Sequence, residues 1–155
     1  MKKLLFLPAL LVAMVMAAVT QSPQSALAGG IGNNYIAPSV SLGGGSSVFG
    51  IDSKIGVADN FALRPFVTFP SGGTGYGASL TYDWDLRQSP AAITPFLGLG
   101  FEFQTANNVT ASNGFAQVGA DFNVSDNVAL LGSVAIPFNN GTTSVTLGAG
   151  LRFYV

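Results

Sequence analysis

The C-terminal stretch, residues 142–155, alternates between two kinds of side chain. Apolar residues hold every second position from Val145 to Val155, and the positions between them hold small or polar residues such as Gly148 and Arg152. A period of two sends successive side chains to opposite faces, which is the pattern of a β-strand. The two faces differ chemically, so a fold that accepts this strand must offer each face a different environment.

The same alternation recurs through most of the chain, with no helical period between the runs. It predicts eight strands, at residues 34–42, 47–57, 61–69, 76–86, 93–104, 114–124, 128–138 and 142–155. The connections are short and rich in Gly, Asn, Asp and Ser, and the longest is a predicted loop at 105–113. We therefore predict an all-β fold, an eight-stranded antiparallel barrel in up-and-down order.

One short segment occurs twice, four predicted strands apart. Val57–Leu63 reads Val-Ala-Asp-Asn-Phe-Ala-Leu, and Val124–Leu130 reads Val-Ser-Asp-Asn-Val-Ala-Leu. Asp and Asn suit a turn because both tolerate left-handed backbone angles and bond locally. The same turn in the same strand phase favours a duplicated four-stranded unit over coincidence.

The N-terminus has a different composition. Lys2 and Lys3 form a basic start, an apolar run follows from Leu4 to Val19, and Ala26-Leu27-Ala28 gives a small-x-small cleavage pattern. These features predict a secretory signal peptide at 1–28 and a single mature domain at 29–155. The alternative is a retained membrane anchor, which the polar residues before the cleavage pattern disfavour.

A barrel of eight two-faced strands can be closed with either face outside. A soluble lipid-carrying barrel would have a wet exterior rich in Lys and Glu, whereas a membrane barrel has an apolar exterior. Only 8% of the residues are charged, against about 25% in ordinary soluble domains. The polar face consists mainly of Gly, Ser and Thr, which suit a crowded lumen, so the membrane barrel is favoured.

Aromatic residues on the apolar face cluster at the strand ends. One predicted girdle contains Phe61, Trp84, Phe122 and Phe153, and the other contains Phe49, Phe69, Tyr76, Phe103 and Phe138. Two girdles of aromatic residues at opposite rims are typical of a protein that crosses both interfaces of a bilayer. Ordinary core aromatics of a β-sandwich are the alternative.

Charged residues fall on the opposite face from these aromatics. The predicted lumen charge network contains Asp52, Lys54, Arg64, Asp83, Asp85, Glu102, Asp121 and Arg152. A basic residue facing lipid at mid-membrane would cost roughly 2–4 kcal/mol, so these charges are expected to face inward. We interpret them as an internal salt-bridge network that plugs the lumen, and the alternative is a selectivity or gating cluster in a narrow pore.

Two prolines fall inside predicted strands. Pro38 and Pro65 each remove a backbone N–H from a ladder. We expect a bulge or locally broken pairing at both.

The composition argues against an enzyme. The chain has no His and no Cys, so a Ser-His triad, a disulfide framework and a lipid-modified Cys are all excluded. No His/Cys cluster predicts a metal site, no Gly run continues into a phosphate-binding motif, and no basic patch fits a nucleic acid. We predict no cofactor.

The signal peptide, the eight strands, the Asp-Asn turns and the ending Gly-Leu-Arg-Phe-Tyr-Val resemble the small outer-membrane β-barrels. The likeness is to the opacity proteins and the transmembrane domain of outer-membrane protein A. The resemblance implies a Gram-negative-type outer membrane, membrane lipids as surroundings, and a monomer with its termini and Asp-Asn turns on the periplasmic side. It also implies periplasmic chaperones and the barrel-assembly machinery as partners, with Phe153 and Val155 as a variant of the family's terminal-Phe assembly signal.

Three roles remain open for such a barrel. The first is a structural role in the cell envelope, which needs only the fold. The second is a narrow porin-like channel for ions or small solutes. The third is surface adhesion or recognition, which ranks lower because only the predicted loop 105–113 offers reach.

Overall fold

The computed structural model describes residues 34–84, 93–125 and 127–153, and these form eight β-strands. The strands are β1 (Asn34–Gly43), β2 (Ser46–Ala58), β3 (Phe61–Phe69), β4 (Gly73–Asp83), β5 (Ile93–Ala106), β6 (Val109–Ser125), β7 (Val128–Pro137) and β8 (Ser144–Phe153). The predicted signal peptide lies outside the described residues. Within these three ranges no helix is long and apolar enough to cross a membrane.

The strands form a closed antiparallel barrel in sequence order, which confirms the predicted architecture. The final strand closes it, because β8 pairs with β7 on one side and with β1 on the other. The β1–β2, β3–β4, β5–β6 and β7–β8 connections lie at one end, called here the hairpin end. Asn34 and Phe153 pair at the other, called the terminal end.

The exterior of the barrel is apolar and the lumen is polar. On β4 the outward Leu80 and Tyr82 are 51% and 40% exposed, whereas the inward Thr81 and Asp83 are completely buried. A soluble barrel would show the reverse arrangement. The apolar face of the strand therefore points outward and the polar face inward, as a membrane barrel requires.

The residues of the two predicted aromatic girdles lie on the outer surface at opposite ends. At the terminal end, Tyr82 packs edge-on against both Phe61 and Trp84, with centroids 5.4 and 5.2 Å apart. At the hairpin end, Tyr76 stacks on Phe103 at 5.6 Å. The remaining girdle residues, which are Phe49, Phe69, Phe122, Phe138 and Phe153, lie on outward positions of β2, β3, β6 and β8 or directly after β7. Tyr82 is an additional member of the girdle at the terminal end.

Pro38 and Pro65 each interrupt one ladder. The β1–β8 ladder skips residues 37–38 and resumes in the same register, and the β2–β3 ladder likewise skips residues 64–65. Beside the second gap, the Ser53 hydroxyl donates a hydrogen bond to the Pro65 carbonyl at 3.1 Å. The expected broken pairing is confirmed, and no register shift accompanies it.

Bulges occur instead within the repeated segment. The β2–β3 register shifts between Gly56 and Ala58, and the β6–β7 register shifts between Asn123 and Ser125. These are equivalent positions of the two copies, so the copies share a backbone irregularity as well as a sequence. This agreement supports the duplicated four-stranded unit.

The prediction of a loop at 105–113 is wrong. β5 runs on to Ala106 and β6 starts at Val109, so only Asn107 and Asn108 connect them. Both have positive φ, 49° and 64°, as a tight two-residue hairpin turn requires, and Asn tolerates this region better than most residues. Small polar residues beyond the membrane-facing band weakened the alternation that would have revealed the strands.

Candidate functional site: a buried ion cluster beneath a polar cup

Four charged side chains meet inside the terminal half of the barrel. Lys54 comes from β2, Arg64 from β3, Asp83 from the end of β4 and Asp121 from β6. Each occupies an inward position of its strand, and their side chains are at most 5% exposed. Two cations and two anions make the cluster neutral, which a buried group of charges requires.

Each cation of the cluster contacts both acids. Lys54 Nζ lies 2.5 Å from Asp83 Oδ2 and 2.9 Å from Asp121 Oδ2. Arg64 Nη2 lies 3.0 Å from Asp83 Oδ2 and 2.8 Å from Asp121 Oδ2. Arg64 Nη1 also donates to Asp121 Oδ1 at 3.1 Å. The four groups thus form one connected network rather than two separate pairs.

Three further side chains complete this cluster. Tyr35 donates its hydroxyl hydrogen to Asp121 at 2.9 Å and accepts from Arg64 at 2.8 Å. Thr81 accepts from Arg64 Nε at 3.0 Å and donates to Asp83 at 2.7 Å. The Arg64 guanidinium also stacks over the Phe96 ring, 3.6 Å from its centroid. The cluster therefore satisfies its own hydrogen-bonding groups.

Sequence reasoning missed Tyr35, Thr81 and Phe96. A signal for the aromatic pair was present, because both occupy the polar, inward face of their strands. Glycines make room for such rings: a Cβ built on Gly119 would lie 2.6 Å from Phe96 Cζ. An aromatic residue on an otherwise Gly-rich face is therefore a mark of lumen filling.

A polar belt spans the lumen above the cluster. Gln117 accepts from the Ser79 hydroxyl at 2.7 Å and donates to the Ser133 hydroxyl at 3.1 Å. Phe66 and Phe115 meet edge-on beside it, with centroids 5.9 Å apart. These side chains separate the ion cluster from the hairpin end.

A cavity of about 350 Å³ lies at the hairpin end and is called here the cup. Asp52 and Glu102 line it, together with Phe66, Phe115 and hydroxyl and amide side chains. Neither acid forms an ion pair within the described part of the chain. The structure thus separates these two predicted lumen charges from the four that form the cluster, in which Asp83 and Asp121 balance Lys54 and Arg64.

The other predicted site residues that the structure describes lie at the terminal rim. Arg152 donates from Nη1 to the Ser125 carbonyl at 3.0 Å and lies outside the cluster. Phe153, half of the predicted assembly signal, ends β8 opposite Asn34. Asp85 and Val155 fall outside the described residues.

The cluster offers acid and cation groups that are engaged with one another. Among the described residues no group of His, Cys, Asp and Glu is arranged to hold a metal ion. In chemical terms, the ion cluster is a neutral, polar group of side chains that fills this part of the lumen.

No family model and no curated protein matches this sequence, but solved structures match its fold. A barrel described as "De novo design of transmembrane beta-barrels" superposes with a TM-score of 0.66 and 19% identity, over 79% of this chain and 96% of that one. This protein has the fold of a small transmembrane β-barrel. The N-terminal β-barrel domain of Pseudomonas aeruginosa OprF matches with a TM-score of 0.60 and 14% identity, over 79% and 98% of the two chains. The designed barrel TMB2.3 gives 0.58 and 13%, over 79% and 97%.

At these identities the likeness concerns the fold. At the level of the fold, this likeness confirms the resemblance to the small outer-membrane barrels that the sequence pattern indicated. The chain therefore has the fold of a transmembrane barrel, with an apolar exterior and a lumen that holds the ion cluster and the cup.

Proposed function

We propose that this transmembrane barrel has a structural role in the bacterial outer membrane and does not conduct. The observation that carries the proposal is the neutral cluster of Lys54, Arg64, Asp83 and Asp121, which is buried across the lumen. Tyr35 and Phe96, at 1% and 0% exposure, fill the space around it. A pathway for ions would have to pass through these contacts.

Opening such a path is energetically costly. Removing one partner of a buried ion pair typically costs about 3–5 kcal/mol, and in this cluster each cation has two partners. A passing solute would have to break several contacts at once. This cost favours the structural role over the narrow channel.

The outer connections support the same role over adhesion. Residues 105–113 do not form the predicted loop, because they belong to β5, β6 and the tight turn between them. The other connections of the hairpin end are also short. An adhesive surface usually needs protruding loops that carry specificity. The hairpin end of this chain offers little of that kind.

Location and biogenesis are part of the proposal. We infer that residues 1–28 direct export and are then removed, and that chaperones and the barrel-assembly machinery insert the mature chain. Pairing of the eight strands round the closed barrel supports a monomer in the lipid.

Two measurements test this function. The protein should fractionate with outer membranes and migrate differently on gels before and after boiling. Purified protein in planar bilayers should give no discrete conductance steps, with a general porin in the same bilayer as the positive control. Reproducible steps from the wild-type barrel would contradict the proposal and favour the channel, and recovery in the soluble fraction would contradict the membrane location.

A further inference from the structure

The cup differs in its lining from the ion cluster below it, although the charge of Arg64 still acts on Asp52. Asp52 and Glu102 line a cavity of about 350 Å³ in which no Lys or Arg takes part. The connections around its mouth, residues 44–45, 70–72, 107–108 and 138–143, carry no charge. A narrow cavity with charges of one sign and low-dielectric walls concentrates counter-ions. The cup therefore attracts cations.

The register places an aromatic ring between the two acids. Asp52 pairs with Phe66, Phe66 pairs with Gly77, and Gly77 pairs with Glu102, so these residues form one row across β2, β3, β4 and β5. Gly77 leaves the space for the ring, because a Cβ there would lie 2.8 Å from Phe66 Cζ. Along this row, the wall of the cup thus presents an acid, an aromatic ring and a second acid.

The two acids stand apart along this row. They are three strand intervals apart, roughly 14 Å of backbone along the curved wall at about 4.8 Å per interval, with Phe66 between them. Among the described residues no group of His, Cys, Asp and Glu is arranged to hold a metal ion. A chain with a cation at each end and an apolar middle matches the order of acid, aromatic ring and acid.

A second polar group lies beside Asp52. Ser39 pairs with Gly50 and therefore lies on the same inward face. The residue is 3% exposed, and its hydroxyl lies beside the Asp52 carboxylate, to which it can donate. The hydroxyl oxygen can still accept a hydrogen bond, so an ammonium group that arrives at Asp52 would find a second acceptor nearby.

We propose that the cup binds a linear diamine or polyamine. One ammonium group lies at Asp52 and the other at Glu102, and the methylenes between them cross the Phe66 ring. Hydroxyl and amide side chains of the cup, such as Thr68 and Gln104, supply the remaining acceptors. Binding at the hairpin end does not depend on whether the lumen conducts, so this inference and the proposed function can fail separately.

Calorimetry on protein extracted from membranes in non-ionic detergent at low salt tests the site. Spermidine should bind, and Asp52→Asn and Glu102→Gln should each weaken it by about tenfold or more, the loss of one charge-assisted contact. Asp59→Asn is the matched control, because Asp59 is an exposed acid at the β2–β3 turn of the other end and its loss changes the net charge equally. Heat-dependent gel migration shows that each variant is folded.

Further ligands separate the spanning diamine from simpler explanations. Butylamine, with one ammonium group, should bind at least about tenfold more weakly than spermidine. Equal binding of butylamine would overturn the spanning geometry, and spermidine binding that is absent or unchanged in both cup variants would overturn the site. Magnesium that displaces spermidine and depends on the same two acids would reassign the cup to a metal ion.

Discussion

Arg64→Ala is the substitution that most directly probes the plug. It removes the guanidinium that contacts Asp83 Oδ2 at 3.0 Å and Asp121 Oδ2 at 2.8 Å. Lys54 would then face both acids alone, and the buried cluster would carry one excess negative charge. The stacking of Arg64 on Phe96 would be lost as well.

The expected cost follows from these contacts. Breaking a buried pair by removing one partner costs about 3–5 kcal/mol. Asp121 keeps Lys54 and the Tyr35 hydroxyl as partners, which argues for the lower part of that range. The lost cation–π contact adds roughly 0.5–2 kcal/mol. We therefore expect the free energy of unfolding to fall by about 3–5 kcal/mol, with little change in conductance because Tyr35 and Phe96 still occupy the lumen.

Urea unfolding in lipid vesicles measures this cost. Trp84 is the single tryptophan and lies on the exposed exterior, so its fluorescence reports on the lipid contact of the folded barrel. Arg152→Ala is the matched control, since it removes an arginine from the rim, where water can replace its hydrogen bond to the Ser125 carbonyl, and should cost less than Arg64→Ala. Adding Asp121→Asn to Arg64→Ala restores neutrality and should recover about 1–2 kcal/mol.

Two results would refute this reasoning about the plug. One is an equal cost for the Arg64→Ala and Arg152→Ala variants, which would mean that burial of the cluster contributes nothing specific. The other is a large conductance increase in Arg64→Ala with unchanged stability, which would make Arg64 a gate rather than part of a structural plug.

Three further substitutions test single contacts. Tyr35→Phe removes the hydroxyl that joins Arg64 and Asp121 and should lower the free energy of unfolding by about 1–3 kcal/mol in urea titrations; no change would mean that this hydroxyl is dispensable. Gly119→Ala crowds both the Gly132 carbonyl oxygen and the Phe96 ring and should cost about 1–3 kcal/mol, whereas Gly132→Ala, whose Cβ meets nothing closer than 3.8 Å, should cost under about 0.5 kcal/mol. Asn108→Val places a β-branched residue at a φ of 64° and should make the β5–β6 hairpin sensitive to protease while the barrel stays intact; an unchanged cleavage rate would contradict the strained turn.

Most of the barrel could be predicted because the pattern of each strand is local. Alternation assigns every side chain to one face, and the apolar face must be the outer one when almost no charge is available for a wet exterior. The rule failed at 105–113, where the strands extend past the apolar band. Thr, Ala, Asn and Ser there meet similar surroundings on both sides, so the two-residue turn at Asn107 and Asn108 left no clear alternation to find.

The ion cluster was likewise predictable only in part. Contacts between neighbouring strands could be predicted from the sequence, but contacts across the lumen could not. Alternation places Lys54, Arg64 and Asp83 on inward positions of neighbouring strands, and the hairpin at Ala58–Phe61 brings the first two side by side. The partner from the opposite wall is not visible in this way. Asp121 is separated from Lys54 by 67 positions in the sequence and by half the circumference of the barrel.

The repeat offers one hint of that pairing. Lys54 lies three residues before Val57, and Asp121 lies three residues before Val124, so the two occupy equivalent positions of the repeated segment. Two equivalent strands of an eight-stranded barrel face each other across the lumen. The duplicated unit thus places a cation opposite an anion, although the sequence alone does not show how far each side chain reaches.

By itself, the sequence determined the eight strands, their two faces and the need for a closed barrel in lipid, because these depend on a period of two and on backbone pairing. Only the tertiary structure decided which charges meet. Closure sets β1 against β8, and the stagger of the strands round the barrel leaves four inward charges in a neutral cluster and two in an acidic cup. The physical reason is that a side chain's face is a property of its own strand, whereas its partner across the lumen depends on how all eight strands are staggered.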